Sequence, residues 1–325
     1  MPEFKNILVI QTAFIGDAIL ASCLLEKLHH QFPTAAISLL VRKGNESIYN
    51  HHPFLKDVLV WNKQEHKFRN LFSLLVQIRK NKYDCVINCH RFASSGFLTG
   101  FSGARHMAGY KQNPFSFLFN YCVKHTVGNG SHETERYTQL IADFSDKEVF
   151  KPKLYPSVND FKLVEEYQQV NYVCMAPASV WFTKQLPVEK WVALCNACPS
   201  STTIYLLGAP GDQTLCDKIK AGSKHVNLHI LAGKLSLLQS CALMQKAERN
   251  YVNDSAPLHL ASAVNAPVTA FFCSTVPEFG FGPLSDDCKI LEVKNLDCRP
   301  CGLHGFKVCP KTHFKCGHLM DLSKA

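Results

Sequence analysis

An aspartate that follows a glycine, where an apolar run hands over to a helical pattern, is placed to take a proton. Gln11-Thr12-Ala13-Phe14-Ile15-Gly16-Asp17 has that form. Gly16 permits a close backbone approach, and Asp17 either caps the helix behind it or serves as a general base toward a substrate hydroxyl. The turn lacks the GxGxxG pattern, which disfavours a dinucleotide site. A second loop, Ala176 to Pro187, carries Lys184 beside the hydroxyls of Ser179 and Thr183. An ammonium with hydroxyl donors suits a diphosphate, and the plain alternative is an exposed loop lysine. A third, Leu206-Leu207-Gly208-Ala209-Pro210-Gly211-Asp212, ends on an acid that either caps its helix or accepts from a ribose diol. The fourth, Asn253-Asp254-Ser255-Ala256-Pro257-Leu258-His259, joins a short strand to a helical run. Helix N-terminal N–H groups bind phosphate, and the Ser255 hydroxyl adds a donor. Asp254 suits orienting the loop or accepting from sugar hydroxyls, and His259 by itself reads as a core histidine.

The fifteen cysteines fall into two sets. Eleven are scattered, many in apolar runs (Cys23, Cys85, Cys195, Cys241), and read as small buried hydrophobes. The other four, Cys298, Cys301, Cys309 and Cys316, follow a CxxC-x7-C-x6-C spacing within residues 298–318, with His304, His313 and His318 interleaved. Four thiolates are the ligand set of a structural zinc; a reduced cysteine-rich loop and a disulfide pairing are the alternatives.

All four loops sit after runs that read as strands. Asn6–Ile10, Ala36–Arg42, Val58–Trp61 and Asp84–Asn88 are strand-like, with helical spacing over Asp17–Phe32 and Phe68–Lys80. After a polar, proline-containing passage near Lys147–Asp160 the rhythm repeats, with strands at Tyr172–Ala176, Thr203–Leu207, Tyr251–Val252 and Val268–Phe272 and helices at Pro187–Ala197, Asp212–Ala221, Ser236–Lys246 and Pro257–Val264. The expectation is an α/β protein of two Rossmann-like domains facing a central cleft. Residues 1–155 form an N-terminal Rossmann-like domain and residues 156–325 a C-terminal one carrying the cysteine tail.

A chain of 325 residues, 46% hydrophobic and 19% charged, is an ordinary globular composition with room for two cores. The net charge of +9 favours an anionic partner, but no basic run is dense enough for a nucleic-acid tail. No stretch is long and apolar enough to span a bilayer, and Asp17 interrupts the opening apolar run too early for a signal peptide. The expected location is the cytoplasm. Between Arg91 and Lys124, basic residues alternate with Phe92, Phe97, Phe101, Phe115, Phe117 and Phe119. That reads either as a core with a basic rim or as a surface meeting a lipid-anchored, phosphorylated acceptor at the inner leaflet.

In order, these motifs resemble glycosyltransferase family 9, the ADP-heptose:lipopolysaccharide heptosyltransferases. The resemblance covers nearly the whole chain: Ile7-Leu8-Val9-Ile10 with Gly16-Asp17, His132-Glu133-Thr134-Glu135-Arg136-Tyr137, Lys184 before Pro187 and Trp191, Leu206 to Asp212, and Leu231-Ala232-Gly233-Lys234-Leu235-Ser236 followed by Asn253 to His259. It implies a GT-B fold and an inverting transfer of heptose from ADP-heptose to a Kdo- or heptose-bearing lipid A acceptor, with no cofactor needed for catalysis. Asp17 would be the base. Ser179, Thr183, Lys184, Asp212, Asp254, Ser255, Ala256 and His259 would surround the donor, and Arg91, His132 and Arg136 the acceptor. Ala256 stands where the family usually has glycine, at a cost of roughly 1 kcal/mol if positive φ is required there. The alternatives are a GT-B transferase for another nucleotide sugar and a non-catalytic nucleotide-sugar-binding protein.

Overall fold

Every strand pairing among the described residues is parallel, so each connection crosses over and the sheets are covered on both faces. The computed structural model describes residues 3–325, which divide into two compact units, one ending at Tyr155 and one running Pro156–Ala325. The first unit runs β1 (Asn6–Gln11), α1 (Ile15–Gln31), β2 (Ala36–Arg42), β3 (Leu55–Trp61), α2 (Lys67–Asn81), β4 (Cys85–Asn88), α3 (Ala93–Gly100), β5 (His106–Tyr110), β6 (Tyr121–Val123) and α4 (Glu133–Gln139). The second runs α5 (Val158–Val164), β7 (Tyr172–Ala176), α6 (Val188–Ala197), β8 (Thr203–Leu206), α7 (Gln213–Gly222), β9 (Leu228–Ile230), α8 (Leu237–Lys246), β10 (Arg249–Asn253), α9 (Ala256–Ala263), β11 (Val268–Phe272), β12 (Cys288–Glu292) and α10 (Lys315–His318).

The sheet orders are β3-β2-β1-β4-β5-β6 and β12-β11-β10-β7-β8-β9. Each sheet therefore has one place where neighbouring strands send their connections in opposite directions: β1 beside β4, and β7 beside β10. The crevice at the carboxyl ends of those two strands is where open α/β sheets take ligands. The central strands are apolar on both faces because both are covered: Ile7, Leu8, Val9 and Ile10 in β1 and Val268, Ala270, Phe271 and Phe272 in β11 are fully buried. In the second unit Trp191 of α6 meets Phe271 edge-on, ring centroids 5.4 Å apart at 87°. Phe314, Cys316 and Met320 join that same core, so the cysteine tail is packed onto the sheet.

Sequence periodicity passes over α3, β5 and β6. The helix reads ASSGFLTG, and glycine weakens the helical signal. The glycines are there for close approach. A methyl group on Gly96 would stand 1.8 Å from Asn113 Oδ1, and one on Gly109 would stand 2.5 Å from the Phe119 ring. Asn113 is buried and ties the loop to the start of α3, donating to the His90 and Phe92 carbonyls at 3.2 and 3.0 Å and accepting from the Phe115 amide at 2.9 Å. The Gly96→Ala variant should therefore lose roughly 1–3 kcal/mol of stability through overpacking, measured by urea unfolding of the whole chain. An unchanged midpoint would show that Asn113 can move aside freely.

Candidate functional site

In the first unit the Gln11–Phe14 turn leaves β1 and is pinned from several directions. Gln11 Oε1 accepts from the Ala13 amide (3.0 Å), and its Nε2 donates to the Tyr137 hydroxyl (2.8 Å). Asn45 Nδ2 donates to the Ala13 carbonyl (3.2 Å), and Lys63 Nζ donates to the Thr12 carbonyl (2.6 Å). Thr12 Oγ1 lies 3.1 Å from His90 Nδ1, which bridges the β1 and β4 loops at the switch point. Burial, with Lys63 and Arg91 nearby, pushes the His90 pKa down to about 4, so the ring is neutral at pH 7.

Asp17 lies in the first turn of α1 and is half-buried. The capping residue Phe14 offers no side-chain cap. Burial and the Glu133 carboxylate push the Asp17 carboxyl up, the Asp17 and Phe14 amides and Arg91 pull it down, and the balance is a pKa of about 7. Glu133 itself stays ionised. Burial would raise it, but His125 (3.2 Å) and Arg136 (2.7 Å) outweigh that and hold it below the usual carboxylate value.

His132 and Arg136, expected at an acceptor, are committed to the fold. His132 begins α4, its Nδ1 accepting from the Thr134 amide (3.2 Å) in a capping box closed by Glu135. Arg136 is 2% exposed and donates to Glu133 Oε2 and to the Thr126 and Ser131 carbonyls, each at 2.7 Å. It organises the approach to α4 and presents no free face to a ligand. Arg91 is exposed at the β4 end, close enough to act on Asp17. Lys63 was not singled out by its sequence context. It sits by Arg42, and burial with the charges of Arg42 and Lys67 lowers its pKa to about 8.

In the second unit, two of the expected loops meet beyond β7 and β10, joined by Thr275 from the loop after β11. Lys184 Nζ lies 2.8 Å from Asp254 Oδ2, with side chains only 15% and 7% exposed. The same carboxylate accepts from Thr275 Oγ1 at 2.5 Å. Asn253 clamps the lysine loop to β10, accepting from the Leu186 amide (2.9 Å) and donating to the Pro177 carbonyl (2.7 Å). Ser255 is the extended residue before α9, with long 3.4 Å contacts to the Ala178 and Asn253 carbonyls. Ser179 is half-buried, and its carbonyl accepts from Gln185.

Four expectations are revised by this packing. Ala256 is the first residue of α9 with ordinary helical backbone, so the feared penalty for lacking glycine does not arise. Thr183 is 1% exposed and faces away from any phosphate: its Oγ1 accepts from the Phe306 amide (2.8 Å) while its own amide donates to the Phe306 carbonyl (3.1 Å). Asp212 caps its turn, accepting from the Ala209 amide at 2.7 Å, and Gly208 is needed because a methyl group there would stand 2.9 Å from the Asp212 Cβ. His259 is buried inside α9, as a core histidine would be.

The cysteine tail adjoins Lys184 through that Thr183–Phe306 pair, and the Cys301 amide also donates to the Ser274 carbonyl at 2.8 Å. All four thiols are free and line one cavity of about 270 Å³ with His313. Among the described residues, no three His, Cys, Asp or Glu side chains converge to metal-holding distance.

Asp17 should titrate near pH 7, read by the carboxyl carbon chemical shift. Because Arg91 is exposed and favours the carboxylate, Arg91→Gln should move that midpoint upward without unfolding the chain. A midpoint that stays near 4 in the parent protein would refute the electrostatic account.

Comparison with known proteins agrees with this arrangement. Residues 71–313 match the family described as Glycosyltransferase family 9 (heptosyltransferase). Lipopolysaccharide heptosyltransferase 3 of Escherichia coli is 24% identical over 81% of this chain and 82% of its own length. The solved glycosyl transferase family 9 structure from Veillonella parvula superposes with a TM-score of 0.80 at 19% identity, covering 89% of this chain and 86% of that one. The Escherichia coli ADP-heptose lps heptosyltransferase II superposes at 0.76 and 18% identity, covering 95% and 96%. With the family match spanning most of the chain and both sheets wholly parallel, the chain belongs to glycosyltransferase family 9 and is a glycosyltransferase of the GT-B fold.

Proposed function

We propose that this protein moves a heptose from ADP-heptose onto the inner core of lipopolysaccharide, with inversion at the donor's anomeric carbon. The observation that carries the reading is the Asp17 carboxyl at the first sheet's switch point, balanced near neutrality by burial and Glu133. A carboxylate with a pKa of about 7 is a stronger base than an ordinary one and is still half ionised at that pH. The names borne by similar proteins, a lipopolysaccharide heptosyltransferase and an ADP-heptose transferase, supply the donor and acceptor classes.

In this reading the first unit holds the acceptor and the second the donor. Asp17 removes the acceptor hydroxyl proton as that oxygen bonds to the anomeric carbon. The bond from that carbon to the diphosphate oxygen breaks with its electron pair, releasing ADP. Arg91 and Lys63 face the anionic acceptor. Lys184, the Ser255 hydroxyl and the amides opening α9 meet the diphosphate, offsetting the charge that builds as it departs. Asp254 aims Lys184, and a lysine with three donors can keep that contact while reaching a phosphate oxygen. Ser179 lies in the same loop, and Asp212, which caps the turn after β8, is assigned to the ribose of the donor. No metal enters these steps.

Asp17→Asn should lower transfer from ADP-heptose to a Kdo-bearing lipid A acceptor by roughly a hundred- to ten-thousandfold. ADP should still raise the thermal midpoint of this variant, more than UDP or GDP does, because the nucleotide binds the folded second unit. Retained turnover would remove Asp17 as the base; equal shifts from all three nucleotides would remove the ADP-sugar assignment. Transfer by the parent enzyme should also fall below about pH 7 as Asp17 gains its proton.

The four tail cysteines ring one cavity and would be the residues to hold a structural zinc, which would cross-link the tail. Metal analysis of purified protein should find close to one zinc per chain, lost in Cys298→Ser; well under one would sink this part.

A further inference from the structure

Between residues 66 and 132 the sequence has nine Lys or Arg residues and a single acid, Asp84. That acid is spoken for: its two oxygens accept the Lys5 and Asn6 amides at 2.8 and 3.2 Å. The segment also exposes six large apolar side chains, Phe68, Phe72, Val76, Phe92, Phe101 and Phe117. On α2, Leu71, Leu74 and Ile78 point into the core, while Phe68, Phe72 and Val76 form a stripe at four-residue spacing that is 71%, 57% and 67% exposed. An amphipathic helix needs only its inner face to fold, so the outer stripe is not explained by packing.

The stripe does not stand alone. The Phe72 ring touches Phe97 at 5.5 Å; Phe97 touches Phe101 at 5.1 Å and Phe115 at 6.1 Å; Phe115 stacks on Phe117 at 6.3 Å. Phe117 is 77% exposed. Cations rim this chain of rings. Lys67 Nζ lies 5.8 Å from the Phe68 ring, Arg79 donates to the Phe101 carbonyl at 3.0 Å, and the Lys111 carbonyl accepts from Ser116, between Phe115 and Phe117. Five phenylalanines in ring contact, extended by Phe68 and Val76 and bordered by Lys67, Arg79 and Lys111, have the chemistry of a surface that enters a headgroup layer and draws on anionic lipid. No helix among the described residues is long and apolar enough to cross a membrane, so the fit is to the interface.

We propose that the α2 stripe and the Phe97–Phe117 cluster form a docking face for an anionic bilayer surface. The face belongs to the same unit as Asp17. Phe92 and Arg91 lead into α3, whose other end carries Phe97, and Arg91 acts electrostatically on Asp17. A lipid-anchored acceptor is thereby met by the unit proposed to bind it. This rests on the proposed acceptor class, but it can fail separately.

The test is co-sedimentation of the full chain with vesicles of phosphatidylcholine alone or mixed with phosphatidylglycerol. Binding should need phosphatidylglycerol and fall with added salt. Phe72→Ser with Phe117→Ser should weaken partitioning at least roughly tenfold, and Lys67→Gln with Lys111→Gln by roughly fivefold for each cation removed. Both double variants should keep full transfer to a water-soluble acceptor without acyl chains. Parent-like vesicle binding by the phenylalanine variant, or equal binding to neutral vesicles, overturns the proposal. So does light scattering that shows a dimer dissolved by the same substitutions, since the face would then be covered by a second copy. If no soluble acceptor is glycosylated by the parent protein, the transfer reading fails while the vesicle result still decides the docking face.

Discussion

These two parallel sheets each turn their connections around at one place, and the proposed chemistry is assembled at those turning points. Neighbouring strands whose crossovers depart on opposite faces leave a gap at their carboxyl ends that no helix fills. In the first sheet that gap receives the Gln11–Asp17 turn from β1 and the His90–Arg91 loop from β4; in the second it receives the Lys184 loop from β7 and the Asn253–Ser255 turn from β10. Side-chain amides then bind each pair of loops together. Gln11 does so in one unit and Asn253 in the other, each spanning two elements with its oxygen and nitrogen. Both are almost fully buried, where an amide left unsatisfied would be costly.

Much of this was legible in the chain itself. Long buried strands such as Ile7–Ile10 and Val268–Phe272 declare themselves as apolar runs because both faces of a parallel sheet are covered. Helices with strong stripes do the same. The shorter strands β5, β6, β9 and β12 lie toward the sheet edges and have little pattern to read, and α3 is obscured by glycines whose purpose appears only once Asn113 and Leu118 are seen against them. Loop positions could be read; loop partners could not. The separation between Asp17 and Glu133, or between Thr183 and Phe306, exceeds a hundred residues, and no local rule links them. Thr183 looked like a phosphate donor because hydroxyl and lysine are adjacent in sequence, whereas the backbone turns the two side chains to different neighbours. Ala256 carried a penalty only if positive φ was required there, and a helical first turn removes that requirement.

The first unit shows how one buried charge sets another. Glu133 is kept ionised by a guanidinium and an imidazole, and that fixed negative charge is what lifts Asp17 beyond the effect of burial alone. The arrangement places stability and reactivity on different members of a network. Arg136 and His125 satisfy Glu133, and Asp17 is left with the surplus potential.

The Lys184–Asp254 contact has a consequence for selectivity. Two opposite charges 2.8 Å apart and largely screened from water present a dipole to the solvent, not a bare cation. Chloride or free phosphate drifting into the second unit meets an ammonium whose charge is already balanced, and has little to gain by displacing so close a carboxylate. A ligand that carries two linked anionic groups and hydroxyls can share the ammonium while offering the carboxylate its own donors. If the proposed donor site is right, discrimination against the abundant small anions of a cell is thus set by an internal counter-ion before any ligand arrives.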